Sequence, residues 1–310
     1  MHKGKIEAKK DKYKIIDCEI CGFKHLYPVP SEKILNNFYQ REYVSYIKKS
    51  MRAPEMKRIL ISNKEEKEKE LKWLNSTLYK DIYYFLTKFT SKNSKTLCDI
   101  GCGTGDFLKY MRNKKWKVIG IEPSKECVEI TKRLKLCVYC GTLEDFLIKK
   151  PNYKNSFDVV TMLKVLEHVN NPIKTIKQAK DLLKPKIGII CIRVPNDFNE
   201  LQMYANKKVN KKLWWVAIPD HINYFNYQSL KKLLDSYNFE ILYYTTDFPM
   251  EFFLLFGENY VDNLEIGSIC HKKRINFELS ISDDLRREIY HNFAKIGIGR
   301  NILIFGRRKD

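Results

Sequence analysis

The stretch LCDIGCGTGDFL, residues 97–108, limits what this chain can fold into more than any other. A short apolar run ends in Asp99, glycine stands at 101, 103 and 105, and Asp106 opens a segment with helical spacing. Glycine lacks Cβ, so it takes left-handed backbone angles at no steric cost and lets a ligand approach the main chain closely. A buried strand that turns this tightly into a helix predicts an open α/β sheet. Such sheets bind ligands beyond the carboxyl ends of their strands, where the strand order reverses.

The pattern from Lys95 onward agrees. TLCDI leads to a helix from Asp106, KVIGIE to a helix from Lys125, then come LCVYCG, FDVVTML with a helix near Ile173, and IGIICIRV. Apolar strands alternating with amphipathic helices predict a mostly parallel, Rossmann-like sheet with helices on both faces. Further strands are expected at FEILYYTT from 239 and NILIFGRR from 301. Between them, Asp247 to Arg300 is far longer than the usual connection of about 4 to 6 residues, so it needs a fold of its own: core against the sheet, or a lid. In front, residues 13–30 read as a knuckle or hairpin, Ser31 as a helix cap, and Glu65 to Phe89 as one long helix. The expected division is residues 1–60 as a knuckle and helical extension, and 61–310 as the main domain with its insertion at about 247–300.

The ligand follows from the spacing. The glycines stand as G-x-G-x-G, not the G-x-G-x-x-G of dinucleotide sites, and no G-K-[ST] follows them, which excludes a P-loop. Asp99 and Asp106 flank the turn and would repel a pyrophosphate, but they suit a ligand with an amino group and a cationic sulfonium centre. Glu122 closes the second strand about 20 residues past the first glycine, where an acid can meet both hydroxyls of a ribose. Glu144 and Asp145 follow the third strand.

With these residues the chain resembles the class I S-adenosylmethionine-dependent methyltransferases. LCDIGCGTG looks like their first motif, GIEPS their second, GTLEDF the segment beside adenine, and FDVVTMLKVLEHVNNP the fourth-strand motif. The type 23 branch is the nearest resemblance, through the EH after the fourth strand and DHINYFNYQSLKKLL after the fifth. The resemblance implies a seven-stranded sheet with S-adenosyl-L-methionine as cofactor. It places Gly101, Cys102, Gly103 and Gly105 in the turn under the methionine part. Asp99 would orient the turn and the amino group. Glu122, followed by Pro123, would hold the ribose, Leu143 and Glu144 would lie near adenine, and Met162 and Leu163 beside the bound cofactor.

Methyl transfer from a sulfonium is an in-line displacement, so positioning and removal of the acceptor's proton can suffice. Histidine is the first candidate for the base, and His221 in IPDHINYF is the residue chosen. His168 in LEHV is expected to fix its loop. Tyr224, His271 and Arg274 are candidate substrate-binding residues, Arg274 as a grip for a carboxylate or phosphate or, equally, as a structural ion pair.

Cys18-x2-Cys21 before Gly22, with His25, has the shape of a metal knuckle. A closed zinc site needs four ligands, and the fourth would have to come from His2 or another subunit. A metal-free hairpin is therefore the default expectation.

The chain has 310 residues and a formal charge of +20, with the lysines spread along its whole length rather than gathered. The expected substrate is a small metabolite, a sugar or cell-envelope precursor methylated on oxygen. RNA methylation is the rival the charge suggests, and a non-catalytic cofactor-binding module is the rival of another class. Against a base-amino methylase, the fourth strand lacks the Asn/Asp-Pro-Pro-aromatic sequence that grips a flipped base. No apolar run reaches the roughly 18 residues of a membrane span. With dispersed cysteines and no signal-like start, a soluble, cytoplasmic protein with reduced thiols is expected. Oligomeric state is left open.

Overall fold

The computed structural model describes residues 2–10, 12–49, 58–60, 62–93, 95–210, 213–218 and 220–310. Strands β1 (Gly4–Lys10), β2 (Tyr13–Cys18) and β3 (Lys24–Tyr27) come first, followed by helices α1 (Glu32–Asn37), α2 (Tyr43–Lys49), α3 (Lys64–Ser76) and α4 (Leu78–Phe89). The alternating region runs β4 (Thr96–Ile100), α5 (Asp106–Asn113), β5 (Lys117–Glu122), α6 (Lys125–Arg133), β6 (Val138–Cys140), α7 (Leu143–Lys149), β7 (Val159–Leu163), α8 (Pro172–Leu182) and β8 (Ile189–Pro195). Then come α9 (Glu200–Val209), β9 (Asn223–Tyr224), α10 (Tyr227–Ser236), β10 (Phe239–Thr246), α11 (Glu251–Leu255), α12 (Leu264–Ser280), α13 (Asp283–Lys295) and β11 (Asn301–Arg308).

Seven strands form one mostly parallel sheet in the order β10-β11-β8-β7-β4-β5-β6, a Rossmann-like arrangement of the expected strand number. A smaller antiparallel sheet has the order β1-β2-β3-β9. By packing, the chain divides into two compact units. The first comprises Met1–Pro30, Lys164–Ile173 and Ile192–Gly306, and the second Ser31–Leu163, Lys174–Cys191 and Arg307–Asp310.

In the second unit β4 pairs in parallel with both β5 and β7, which sets Asp99 beside Gly120 on one side and Thr161 on the other. Leu97, Cys98, Val159 and Val160 are fully buried, as strands covered on both faces should be. Asp158 accepts hydrogen bonds from the backbone N–H and hydroxyl of Thr96 and pairs with Lys184 at 2.7 Å. The start of β4 is thereby anchored beside β7. The expected single helix over 65–89 is instead α3 and α4, broken at Thr77, whose backbone sits at φ −123°, ψ −92°. Both the backbone N–H and the hydroxyl of Thr77 donate to the carbonyl of Trp73.

In the first unit, Arg193 on β8 and Arg274 on α12 both reach the buried carboxylate of Asp247, at 2.8 and 3.4 Å. Arg274 also donates to Glu278, which accepts from the hydroxyl of Tyr290 on α13. The backbone and side-chain N–H groups of Asn301 complete the shell around Asp247. The segment between β10 and β11 is thus three helices, two of them fastened by buried charge. Met250, Phe253 and Cys270 give it a small apolar core. Within FPMEFFLLFGENY, residues 248–260, the helical part is Glu251–Leu255.

Candidate functional site

The glycine turn lies wholly in the second unit. Gly101, Gly103 and Gly105 all have left-handed backbone, at φ +68°, +54° and +78°. A Cβ at Gly105 would stand 2.7 Å from Leu136 and 2.9 Å from Thr131, so space as well as angle requires glycine there. The N–H groups of Gly101 and Cys102 both donate to the carbonyl of Ile121, which ties the turn to the end of β5.

Two buried carboxylates meet at this turn. Glu122 accepts from the N–H of Gly103 at 2.9 Å and from that of Ser124 at 2.8 Å, one bond per oxygen. Asp99 accepts from the Thr161 hydroxyl at 2.5 Å. Burial pushes the Asp99 carboxyl up to about 7, against the lowering effect of the Thr161 bond and with a further rise from the Glu122 charge. Burial also raises Glu122, against the two backbone bonds. Among the described residues no basic side chain pairs with either acid.

Two buried acids with spare lone pairs and no cation fit a molecule that brings hydroxyls and positive charge, as S-adenosylmethionine does. Bound there, it supplies an electrophilic methyl on a sulfonium. Asp106 accepts from the Thr104 hydroxyl at 2.6 Å, and burial raises its carboxyl.

The other expected cofactor residues are distributed as follows. Pro123 is half-buried between Glu122 and Ser124. Leu143 is buried at the start of α7, where Thr142 and Asp145 form a capping box. Glu144 is bound to Lys174 at 2.6 Å. Met162 is fully buried opposite Ile100, and Leu163 is half-buried at the end of β7.

In the first unit a second polar group gathers. His168 Nδ1 lies 2.8 Å from the Asp220 carbonyl and 3.2 Å from its carboxylate, while Nε2 lies 3.8 Å from Glu167. The His221 ring stands edge-on to it at 5.0 Å, with Nε2 3.9 Å from Asp220. Burial by itself would lower His168, but the charges of Asp220 and Glu167 outweigh it and raise the imidazole to about 9. The two carboxylates therefore favour the charged form of His168, whose ring lies between them. Glu167 is fully buried, and burial raises its carboxyl. Glu167 is the acid of the EH pair after the fourth strand, to which the sequence assigns no separate role.

Of the expected substrate residues, Tyr224 is buried on β9 and its hydroxyl donates to the carbonyl of His221. The Arg274 guanidinium is taken up by Asp247 and Glu278, the structural alternative foreseen for it. His271 is half-buried one turn earlier on α12. At the front of the chain, Cys18, Cys21 and His25 converge with His2, their ligand atoms all within 4.8 Å of one another.

The profile of a methyltransferase-domain family, type 23, matches residues 71–244, more than half of the chain. The chain belongs to this family of S-adenosylmethionine-dependent methyltransferases. A ubiquinone biosynthesis O-methyltransferase from Pelagibacter ubique (strain HTCC1062) is 30% identical over 194 residues, spanning 56% of this chain and 76% of that protein. One from Haemophilus ducreyi (strain 35000HP / ATCC 700724) is 34% identical over 120 residues, 36% of this chain and 50% of that protein. A solved S-adenosylmethionine-dependent methyltransferase from Archaeoglobus fulgidus shares 16% identity at a TM-score of 0.48, covering 74% of this chain and 93% of its own. Residues 1–70 and 245–310 lie outside the family match. No helix among the described residues is long and apolar enough to cross a membrane.

Proposed function

We propose that this methyltransferase acts in the cytoplasm on a hydroxyl oxygen of a small metabolite, a sugar or cell-envelope precursor, with His221 as the base. The observation that carries the reading is the gathering of Glu167, His168, Asp220 and His221 in one unit. An aliphatic hydroxyl holds its proton tightly and gains from a base beside it as the new bond forms. His221 accepts that proton, and the Asp220 carboxylate 3.9 Å away stabilises the imidazolium that results. His168, already charged and clasped by Asp220 and Glu167, keeps their carboxylates in place. The printed name of the relatives supports oxygen as the accepting atom, and makes a quinone precursor the second acceptor class to test.

The test is transfer of labelled methyl from S-adenosylmethionine into a bacterial extract, fractionated by size and solvent, before and after nuclease. Label in small polar metabolites or glycans is the expected result. Label confined to a solvent-extracted lipid replaces the acceptor class, and label removed by nuclease overturns the reading in favour of RNA.

A further inference from the structure

We propose that His2, Cys18, Cys21 and His25 hold a structural zinc ion. His2 precedes β1, Cys18 ends β2, Cys21 lies in the turn after it and His25 is on β3, so the arrival of His2 beside the other three is a product of the fold rather than of sequence spacing alone. Cys18 ends β2, and the N–H of Gly22 donates back to its carbonyl at 2.8 Å, closing a tight knuckle. Gly22 has φ +74°. A Cβ there would meet only the Lys232 side chain at ordinary contact distance, so it is the backbone angle that selects glycine. The N–H of Cys21 points at Cys18 Sγ at 3.5 Å, a donor that favours the thiolate.

His2 is delivered by β1. Gly4 is paired with Cys18, and the N–H of Glu19 donates to the carbonyl of Lys3. The Nδ1 of His2 then lies 3.6 Å from Cys18 Sγ and 3.3 Å from Cys21 Sγ. A tetrahedral zinc with Zn–S of about 2.3 Å and Zn–N of about 2.0 Å separates its sulfur and nitrogen ligands by about 3.5 Å. The observed spacings bracket that value.

His25 supplies the decisive detail. Its Nδ1 is engaged with the Leu26 carbonyl at 2.8 Å, which as an N–H donor fixes the tautomer and leaves Nε2 with a lone pair. That Nε2 is buried and has no hydrogen-bond partner, on a residue only 2% exposed. A buried nitrogen facing two thiols and an imidazole is costly as it stands and is satisfied by a metal. A set of two thiolates and two imidazoles selects zinc over harder cations, and its binding releases the two thiol protons to solvent.

The site has a structural consequence. His25 pairs with Asn223 on β9, and the Asn223 amide donates to the carbonyls of Leu166 and Val169, on either side of Glu167 and His168. The N–H groups of Ile222 and Asn223 both donate to the carbonyl of Glu167. Zinc therefore braces, through β3 and β9, the loop that carries Glu167 and His168.

The full chain, tagged at its C-terminus to leave His2 unencumbered, is purified from zinc-supplemented medium and its metal measured by elemental mass spectrometry. One zinc per chain is expected, with replacement by cobalt giving the visible absorption of a tetrahedral two-thiolate site. Cys21→Ser should lose the metal, His2→Ala should weaken it by about tenfold or more, and Cys140→Ser should retain it. A wild-type chain that carries no zinc and gives no cobalt spectrum overturns the proposal whether or not the variants fold. So does zinc undiminished in Cys21→Ser, or a Cys18–Cys21 disulfide in the protein as isolated. None of these readouts depends on the methyl acceptor.

Discussion

Each oxygen of the Glu122 carboxylate accepts one backbone N–H and keeps a lone pair that a ligand hydroxyl can use. Removing it takes away a charged hydrogen bond, so Glu122→Ala should weaken S-adenosylmethionine binding by about 1 to 3 kcal/mol in calorimetric titration. Unchanged affinity in a folded variant would overturn the ribose assignment. Asp99 gives a pH signature. Its carboxyl is raised from 3.8 to about 7, chiefly by burial, so the fold favours the protonated form. That contribution is complete below about pH 4 and is lost as pH rises to 7. The ligand-free chain should therefore lose thermal stability between about pH 4 and 7 relative to Asp99→Asn; parallel melting curves would remove the assignment. Both acids were legible in the sequence because a strand-end carboxylate beside a glycine turn has a local signature. Glu167 was not, because its burial comes from packing between segments distant in the chain.

The turn between β4 and α5, and the strand–helix pairs through β8, were readable because their periodicity is set by burial on both faces. Strand NILIFGRR is observed with its expected bounds, as β11. Three kinds of element were not readable. β9 has only two residues, β1 is mostly polar and exposed, and the break at Thr77 is marked by neither a glycine nor a proline. The segment between β10 and β11 was expected only to have a fold of its own, and what fastens its helices is charge. Asp247 holds Arg193 and Arg274 together, and removing a carboxylate from between two buried guanidinium groups leaves them uncompensated. Asp247→Ala should destabilise the protein by about 3 to 5 kcal/mol, seen in urea unfolding, with α12 and α13 losing hydrogen-exchange protection first. A loss below about 1 kcal/mol, the range of a surface pair, would show that the network is not buried in solution.

At the scale of the whole molecule, the glycine turn with its two acids and the histidine group belong to different compact units, and the two can be separated by experiment. The net charge of +20 does not distinguish a small acceptor from a nucleic acid, because it is dispersed, whereas the kinetics of single variants do. If the second unit binds the cofactor and His221 of the first removes the acceptor's proton, their losses should fall on different constants. His221→Ala should leave S-adenosylmethionine affinity as it is and lower kcat by about 10²- to 10⁴-fold, the range for loss of a general base. The deficit should shrink at high pH, where solvent hydroxide can replace the imidazole. Glu122→Ala should show the reverse split, with weaker cofactor binding and kcat recovered at saturating cofactor. A His221→Ala enzyme that binds its cofactor normally and turns over at the wild-type rate would remove the base from His221. Catalysis would then rest on positioning alone, which an in-line transfer from a sulfonium permits.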